Sequence, residues 1–243
     1  MNFRLISRRA WLASALAAPA WGAAERRRLA GIEFEVIRRG GAARRYLLIH
    51  GNEQTARETL REHMRGREGV ALLVTGQERW VTLRGLRLDP NRMFSRAGAE
   101  RSFTALNPGA APERIREALD WLDRRRGEIL RLVLPPRGGL LAALHNNSSG
   151  YSVETEIGIS ESVWLPSRGE PHEFMLATDP KDFARLSRAP FNAVLQQRAA
   201  GEDDGSLSRL CAARGVRYVN IEARLGAAAE QRAMLAWLEE NLP

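Results

Sequence analysis

Apolar and polar residues alternate over 32–38, with Ile32, Phe34 and Val36 set between Glu33 and Glu35, and this period of two predicts a strand. Gly40-Gly41 turns the chain into the apolar run Tyr46-Leu47-Leu48-Ile49, a second strand. A helix is predicted over 54–64, strands over 70–75 and 80–83, and a helix over 113–127 with Ile115, Leu119 and Leu122 on one face. The stretch 95–112, with two glycines and two prolines near its ends, reads as a long irregular loop. Apolar runs at 129–134 and 140–144 are separated by Pro135-Pro136 and Gly138-Gly139. Alternation over 152–157 suggests an edge strand, 160–171 a loop, and 173–177 a strand. Helices at 179–188 and 203–214 flank the run 191–195. A strand at 216–221 and an amphipathic helix at 227–242 close the chain. Strands interleaved with helices predict an α/β fold in three layers: a mostly parallel or mixed twisted sheet flanked by helices.

Three of these strands end in chemistry. The second stops at His50-Gly51-Asn52-Glu53, where His50 and Glu53 are three apart across a tight turn and can reach one ion. Open α/β sheets place their sites at such strand tips. The alternative for Glu53 is a first-turn glutamate that complements the helix dipole. The run 140–144 repeats the pattern and delivers His145, followed by Asn146, Asn147 and Ser148, polar residues suited to hold the other ring nitrogen or to touch a substrate. The third strand ends at Glu222, either a general base or a surface partner of Arg224. His63 lies among charged helix residues and reads as surface. His172 opens a strand, the wrong end for a site in a parallel sheet, and reads as structural. Between Arg84 and Phe94, arginines and Asn91 surround the turn Asp89-Pro90-Asn91. They form either a clamp for a carboxylate or a plain turn in which Asp89 bonds its own backbone.

At 243 residues, with 44% hydrophobic and 27% charged, the chain suits one domain over residues 25–243. The net charge is +8, carried almost wholly by arginine; Lys181 is the one lysine. The clusters at 26–28 and 124–126 do not interleave with aromatics, which argues for a solvated surface and against nucleic acid. Cys211 is the single cysteine, so no internal disulfide and no cysteine-ligated zinc site exists; it reads as a core residue. Residues 1–24 resemble a signal peptide, with Arg4, Arg8 and Arg9 ahead of a short Ala/Leu stretch and small-residue cleavage sites. Ser7-Arg8-Arg9-Ala10-Trp11-Leu12 resembles a twin-arginine signal. The expectation is export by that machinery to the periplasm or beyond, with no stable membrane anchor after cleavage.

Taken in order, these motifs resemble the aspartoacylase and succinylglutamate desuccinylase family of the zinc carboxypeptidase-like superfamily. His50-Gly51-Asn52-Glu53 is similar to its first metal motif, Asp89-Pro90-Asn91-Arg92-Met93-Phe94 to its Asp-Leu-Asn-Arg-x-Phe motif, Leu144-His145-Asn146 to its third-ligand motif, and Asn220-Ile221-Glu222 to the segment that carries its base. The resemblance implies one Zn²⁺ per chain held by His50, Glu53 and His145, with Glu222 as general base. It implies Arg84 as the oxyanion-stabilising arginine, from its place five residues before Asp89, and Asn91, Arg92 and Asn146 as substrate contacts. Pro90 stands where the family has leucine, and one helix follows Glu222 where the acylases carry a β-rich domain. The expected activity is an exported zinc hydrolase that cleaves an amide or peptide bond next to a carboxylate, on peptides or cell-wall fragments. An N-acyl amino acid deacylase and a non-catalytic binder of anionic ligands are the alternatives.

Overall fold

The computed structural model describes residues 24–148, 150–166, 170–198 and 200–243. The expected signal segment lies outside these, apart from Ala24, which opens the first strand. In chain order the elements are β1 (Ala24–Leu29), β2 (Ile32–Arg39), β3 (Arg45–Leu48), α1 (Gln54–Gly66), β4 (Gly69–Val74), β5 (Val81–Leu83), β6 (Leu86–Leu88), α2 (Arg96–Leu106), α3 (Pro112–Val133), β7 (Leu140–Asn147), α4 (Val153–Ile157), β8 (Ser162–Trp164), β9 (Phe174–Ala177), α5 (Pro180–Leu186), β10 (Asn192–Leu195), α6 (Leu207–Arg214), β11 (Arg217–Arg224) and α7 (Ala228–Asn241). A 3₁₀ turn, Pro90–Arg92, precedes α2.

Among the described residues nine strands form one sheet in the order β1-β2-β4-β3-β7-β11-β9-β10-β8, and β5 pairs with β6 in a separate hairpin. Strands β4, β3, β7 and β11 run parallel, while β2 and β9 are antiparallel to their inner neighbours. The central strands are apolar on both faces because both faces are covered. On one face Leu47, Leu72 and Leu141 pack with Phe103 of α2, Leu119 of α3 and Cys211 of α6. On the other, Tyr46, Leu48, Leu73 and Leu144 pack with Leu60 of α1, Leu186 of α5 and Leu235 of α7. The three-layer α/β expectation stands, as does Cys211 in the core. No helix of the described residues is long and apolar enough to cross a membrane.

Several elements differ from the pattern's reading. The stretch 95–112 holds α2, started by Ser95, whose hydroxyl accepts from the Gly98 amide at 3.1 Å. The run 129–134 is the end of α3, where Ile129, Leu130 and Val133 continue the stripe of Ile115, Ala118, Leu119 and Leu122 past Gly127. Residues 153–157 form α4 rather than an edge strand, with Glu156 buried and Ile157 exposed. The sheet edge is β8, inside the expected loop. His63 is half-buried, not a surface residue, and its ring lies 3.3 Å from the Tyr46 hydroxyl. Because β9 is antiparallel to β11, with Phe174 opposite Glu222, the start of β9 lies at the tip end of the sheet. His172 is nonetheless structural: its Nδ1 lies 2.8 Å from the Tyr151 carbonyl.

Candidate metal centre

Strand β3 is flush between β4 and β7, so the chain leaves the sheet at Ile49 and must turn sharply. Gly51 makes the turn possible: its amide donates to the Glu78 carbonyl at 2.9 Å, and a Cβ there would meet that oxygen at 2.7 Å. The turn swings Glu53 back beneath His50, where both are buried. Glu53 sits at the N-cap of α1 but makes no side-chain capping bond, because its carboxylate faces the histidines instead.

His50 Nδ1 lies 2.8 Å from Glu53 Oε1, and His145 Nδ1, from the tip of β7, lies 3.2 Å from Glu53 Oε2. Ligand atoms of His50, Glu53 and His145 all fall within 4.8 Å of one another. His50 Nε2, the far nitrogen, lies 2.9 Å from Asp89 Oδ1. That carboxylate also accepts from the Asn91 amide at 2.8 Å, the turn bond expected of Asp89, and its contact with His50 adds a role that the sequence did not suggest. Burial opposes ionisation of Glu53, yet the His145 and His50 rings overcome it and hold its carboxyl down to about 2. Burial likewise opposes, and His50 and Arg79 outweigh it, for Asp89, also down to about 2. Burial pulls the His50 ring down, but Asp89 and Glu53 together raise it above its ordinary value.

Glu222, on β11 in register with His145 on β7, is buried beside this trio. It does not pair with Arg224, which turns outward to Glu170. Asn220 Nδ2 donates to its Oε1 at 2.9 Å and Asn147 Nδ2 to its Oε2 at 3.4 Å. Burial pushes its carboxyl up, the Glu53 charge adds to that, and His145 and Asn220 offset only part. A buried carboxyl raised toward neutrality is the form that takes a proton and returns it.

These groups line one cavity of about 540 Å³ with Arg79, Asn91, Arg92 and Asn146. Arg79 reaches Glu53 at 3.6 Å and Asp89 at 3.5 Å. Arg92 is held by Asp204 at 2.8 Å, and the Asn91 side-chain oxygen accepts from the Leu207 amide at the start of α6 at 3.1 Å. One expectation needs correction. Arg84 is exposed and does not line the cavity. It sits at the tip of the β5–β6 hairpin, where Arg84 and Gly85 take φ of 53° and 79°, the two positive values of a two-residue turn. The arginine that reaches Glu53 and Asp89 is Arg79. Asn146 lines the cavity, but its side chain is committed to backbone: Oδ1 accepts from Ala56 N at 2.9 Å, and Nδ2 donates to the carbonyls of His145 and Ala223. These bonds position β7 against α1.

Two imidazoles and a carboxylate are the donor set of a divalent-metal site with an open position. The His145 ring bonds Glu53 through Oε1; the buried Oε2, although 3.2 Å from the same nitrogen, makes no hydrogen bond, and a cation among the three side chains would satisfy it. The residues present therefore fit a bound metal ion.

No protein-family model matches the sequence, and no curated protein matches it. The structure is similar to a succinylglutamate desuccinylase/aspartoacylase from Rhodobacter sphaeroides, at 14% identity and a TM-score of 0.43 over 86% of this chain and 59% of that one. A succinylglutamate desuccinylase from Silicibacter sp. TM1040 gives 14% identity and 0.45 over 86% and 60%. A candidate metallopeptidase from Shewanella amazonensis SB2B gives 11% and 0.41 over 90% and 87%. The chain thus spans about three-fifths of the desuccinylase structures.

Proposed function

We propose that this protein is a zinc-dependent hydrolase of amide or peptide bonds that lie next to a carboxylate. The observation that carries this reading is the convergence of His50, Glu53 and His145 beside Glu222, a buried carboxyl on the neighbouring strand that is not part of the trio. His50, Glu53 and His145 would hold the ion. When bound, it supplies Lewis-acid polarisation of the scissile carbonyl and of a water molecule. Glu222 accepts the proton of the attacking water and delivers it to the leaving nitrogen. Arg79, beside Glu53 at the cavity wall, stabilises the developing oxyanion. Arg92, aligned by Asp204, and the free amide end of Asn91 receive the substrate carboxylate.

Peptides and cell-wall fragments are the first substrate class and N-acyl amino acids the second. The order follows from the signal-like start of the chain, which argues for export through the twin-arginine route. The test is metal content and turnover together. Purified protein should hold about one zinc per chain, lose it in His145→Ala, and release free amino acid from dipeptides or N-acetyl amino acids. Absence of zinc in the wild type after zinc is supplied would overturn the reading.

A further inference from the structure

We propose that the inner wall of this cavity recognises an aliphatic ammonium group on the substrate, and that Glu156 is the residue that selects it. The proposal rests on the hydrolase reading only for the identity of the molecule that carries the ammonium. The cavity does not end at the strand tips. Glu222, Asn220 and Tyr218 are two apart along β11 and all line it, so it runs down one face of the sheet. Leu176 of β9, Ile159 after α4 and the Tyr218 ring make its lower wall apolar, and Glu156 and Gln196 close that wall.

Glu156 is only 9% exposed. Its Oε2 accepts from Gln196 Nε2 at 2.5 Å, and the same nitrogen reaches Ser160 Oγ at 3.2 Å. The Tyr151 side chain lines the same cavity. Burial first, then the charges of Glu222 and Glu156, raise its phenol, which stays protonated. Among the described residues no ion pair involves Glu156. A carboxylate this buried is costly without a cation, and a glutamine would serve equally well to tie α4 to the end of β10. One neutral donor, Gln196, holds the carboxylate at the wall of a recess with apolar sides. An ammonium on a chain of methylenes matches both features, since the stem packs on the apolar wall while the charge meets Glu156.

The probes are three free amino acids without an amide bond: L-lysine and two neutral analogues of the same length, L-2-aminoheptanoic acid and L-6-hydroxynorleucine. Calorimetric titration of the full chain should show L-lysine binding about tenfold or more tighter than either neutral ligand, and Glu156→Gln should bring the three within about threefold. Equal affinities in the wild type, binding by none of them, or a lysine preference that survives in Glu156→Gln would each overturn the proposal. If Glu156→Gln does not fold, the wild-type comparison decides it alone. Turnover of dipeptides separates this proposal from the hydrolase reading. Lysine preference without any turnover would remove the hydrolysis and leave the site, whereas turnover without preference would do the reverse.

Discussion

Asp89 holds the nitrogen of His50 that faces away from Glu53, at 2.9 Å, and with the same oxygen it holds the Asn91 amide at 2.8 Å. One carboxylate thereby sets the orientation of a ligand ring and of the turn that carries Asn91 and Arg92. With a proton fixed on Nε2, the Nδ1 lone pair is left for an ion. Asp89→Asn can still accept both bonds through its amide oxygen and loses only the charge. It should lower zinc affinity by about 10- to 100-fold. Competition against a chromophoric chelator measures this, and an unchanged affinity would remove Asp89 from the site.

Glu222→Gln separates chemistry from metal binding. Turnover should fall by about 10²–10⁴-fold while zinc content stays at the wild-type level. Burial raises the Glu222 carboxyl above its ordinary 4.5, and the base must be ionised. Wild-type kcat/KM should therefore climb with pH through that raised value, on a limb displaced upward from an ordinary glutamate. Stability runs the opposite way: with the folded value above the unfolded one, the stabilising contribution is complete below about 4.5 and is lost as pH rises through the folded value. The thermal midpoint of Glu222→Gln relative to wild type should thus be more favourable at pH 8 than at pH 4.5.

The two arginines near Asp89 make opposite predictions. Arg79→Ala should cost about 10²–10³ in kcat, the size of one oxyanion donor. Arg84→Ala, at an exposed hairpin tip, should change it less than about twofold. Parallel kinetics on the two variants decide which arginine serves the reaction.

Much of the site could be read from the strand-tip pattern, because His50, Glu53, His145 and Glu222 each follow a β run and need no knowledge of distant packing. The arginine could not. Spacing from Asp89 points to Arg84, but a two-residue hairpin between Leu83 and Leu86 turns that residue outward, and Arg79 reaches the cavity from the loop after β4. Nor could Glu156 be found. The alternation over 152–157 reads as a strand, and only the packing of α4 on β10 shows that the glutamate is inside and Ile157 outside. The strand directions of β9 and β10 also depend on pairing, which short apolar runs do not specify.

Glu53, Asp89 and His50 make stability depend on pH in a way that metal reverses. In the metal-free protein, Glu53 and Asp89 are lowered to about 2. Their contribution is present above their ordinary values and lost as pH falls toward 2. His50 is raised, so its contribution is complete below 6.5 and lost as pH rises through its folded value. The metal-free thermal midpoint should therefore peak at about pH 5–6. Zinc competes with protons for His50, so its stabilising increment should grow as pH rises from about 5 to 8. Thermal scans with and without chelator across that range test both slopes. A metal-free midpoint that climbs steadily to pH 8 would contradict the assignment.

The placement of Arg92 rests on a contact between two glycines. A Cβ on Gly98 of α2 would lie 2.3 Å from the Gly205 Cα and 2.5 Å from the Asp204 carbonyl. Gly205, at φ +79°, is itself packed against the Arg92 carbonyl, and its own carbonyl accepts from Phe94 N at 3.0 Å. Every atom in this contact is backbone, so an added methyl cannot be absorbed by a side-chain rotation. Gly98→Ala must push the 203–206 loop away from α2, and Asp204, which aligns Arg92 at 2.8 Å, moves with it. The expected cost is about 1–3 kcal/mol, a drop of several degrees in thermal midpoint for a chain of this size. If Arg92 binds the substrate carboxylate, KM should rise more than kcat falls, because the metal trio and Glu222 lie on other elements. A Gly98→Ala protein with a lowered midpoint and an unchanged KM would show that Arg92 does not need Asp204 to hold its place.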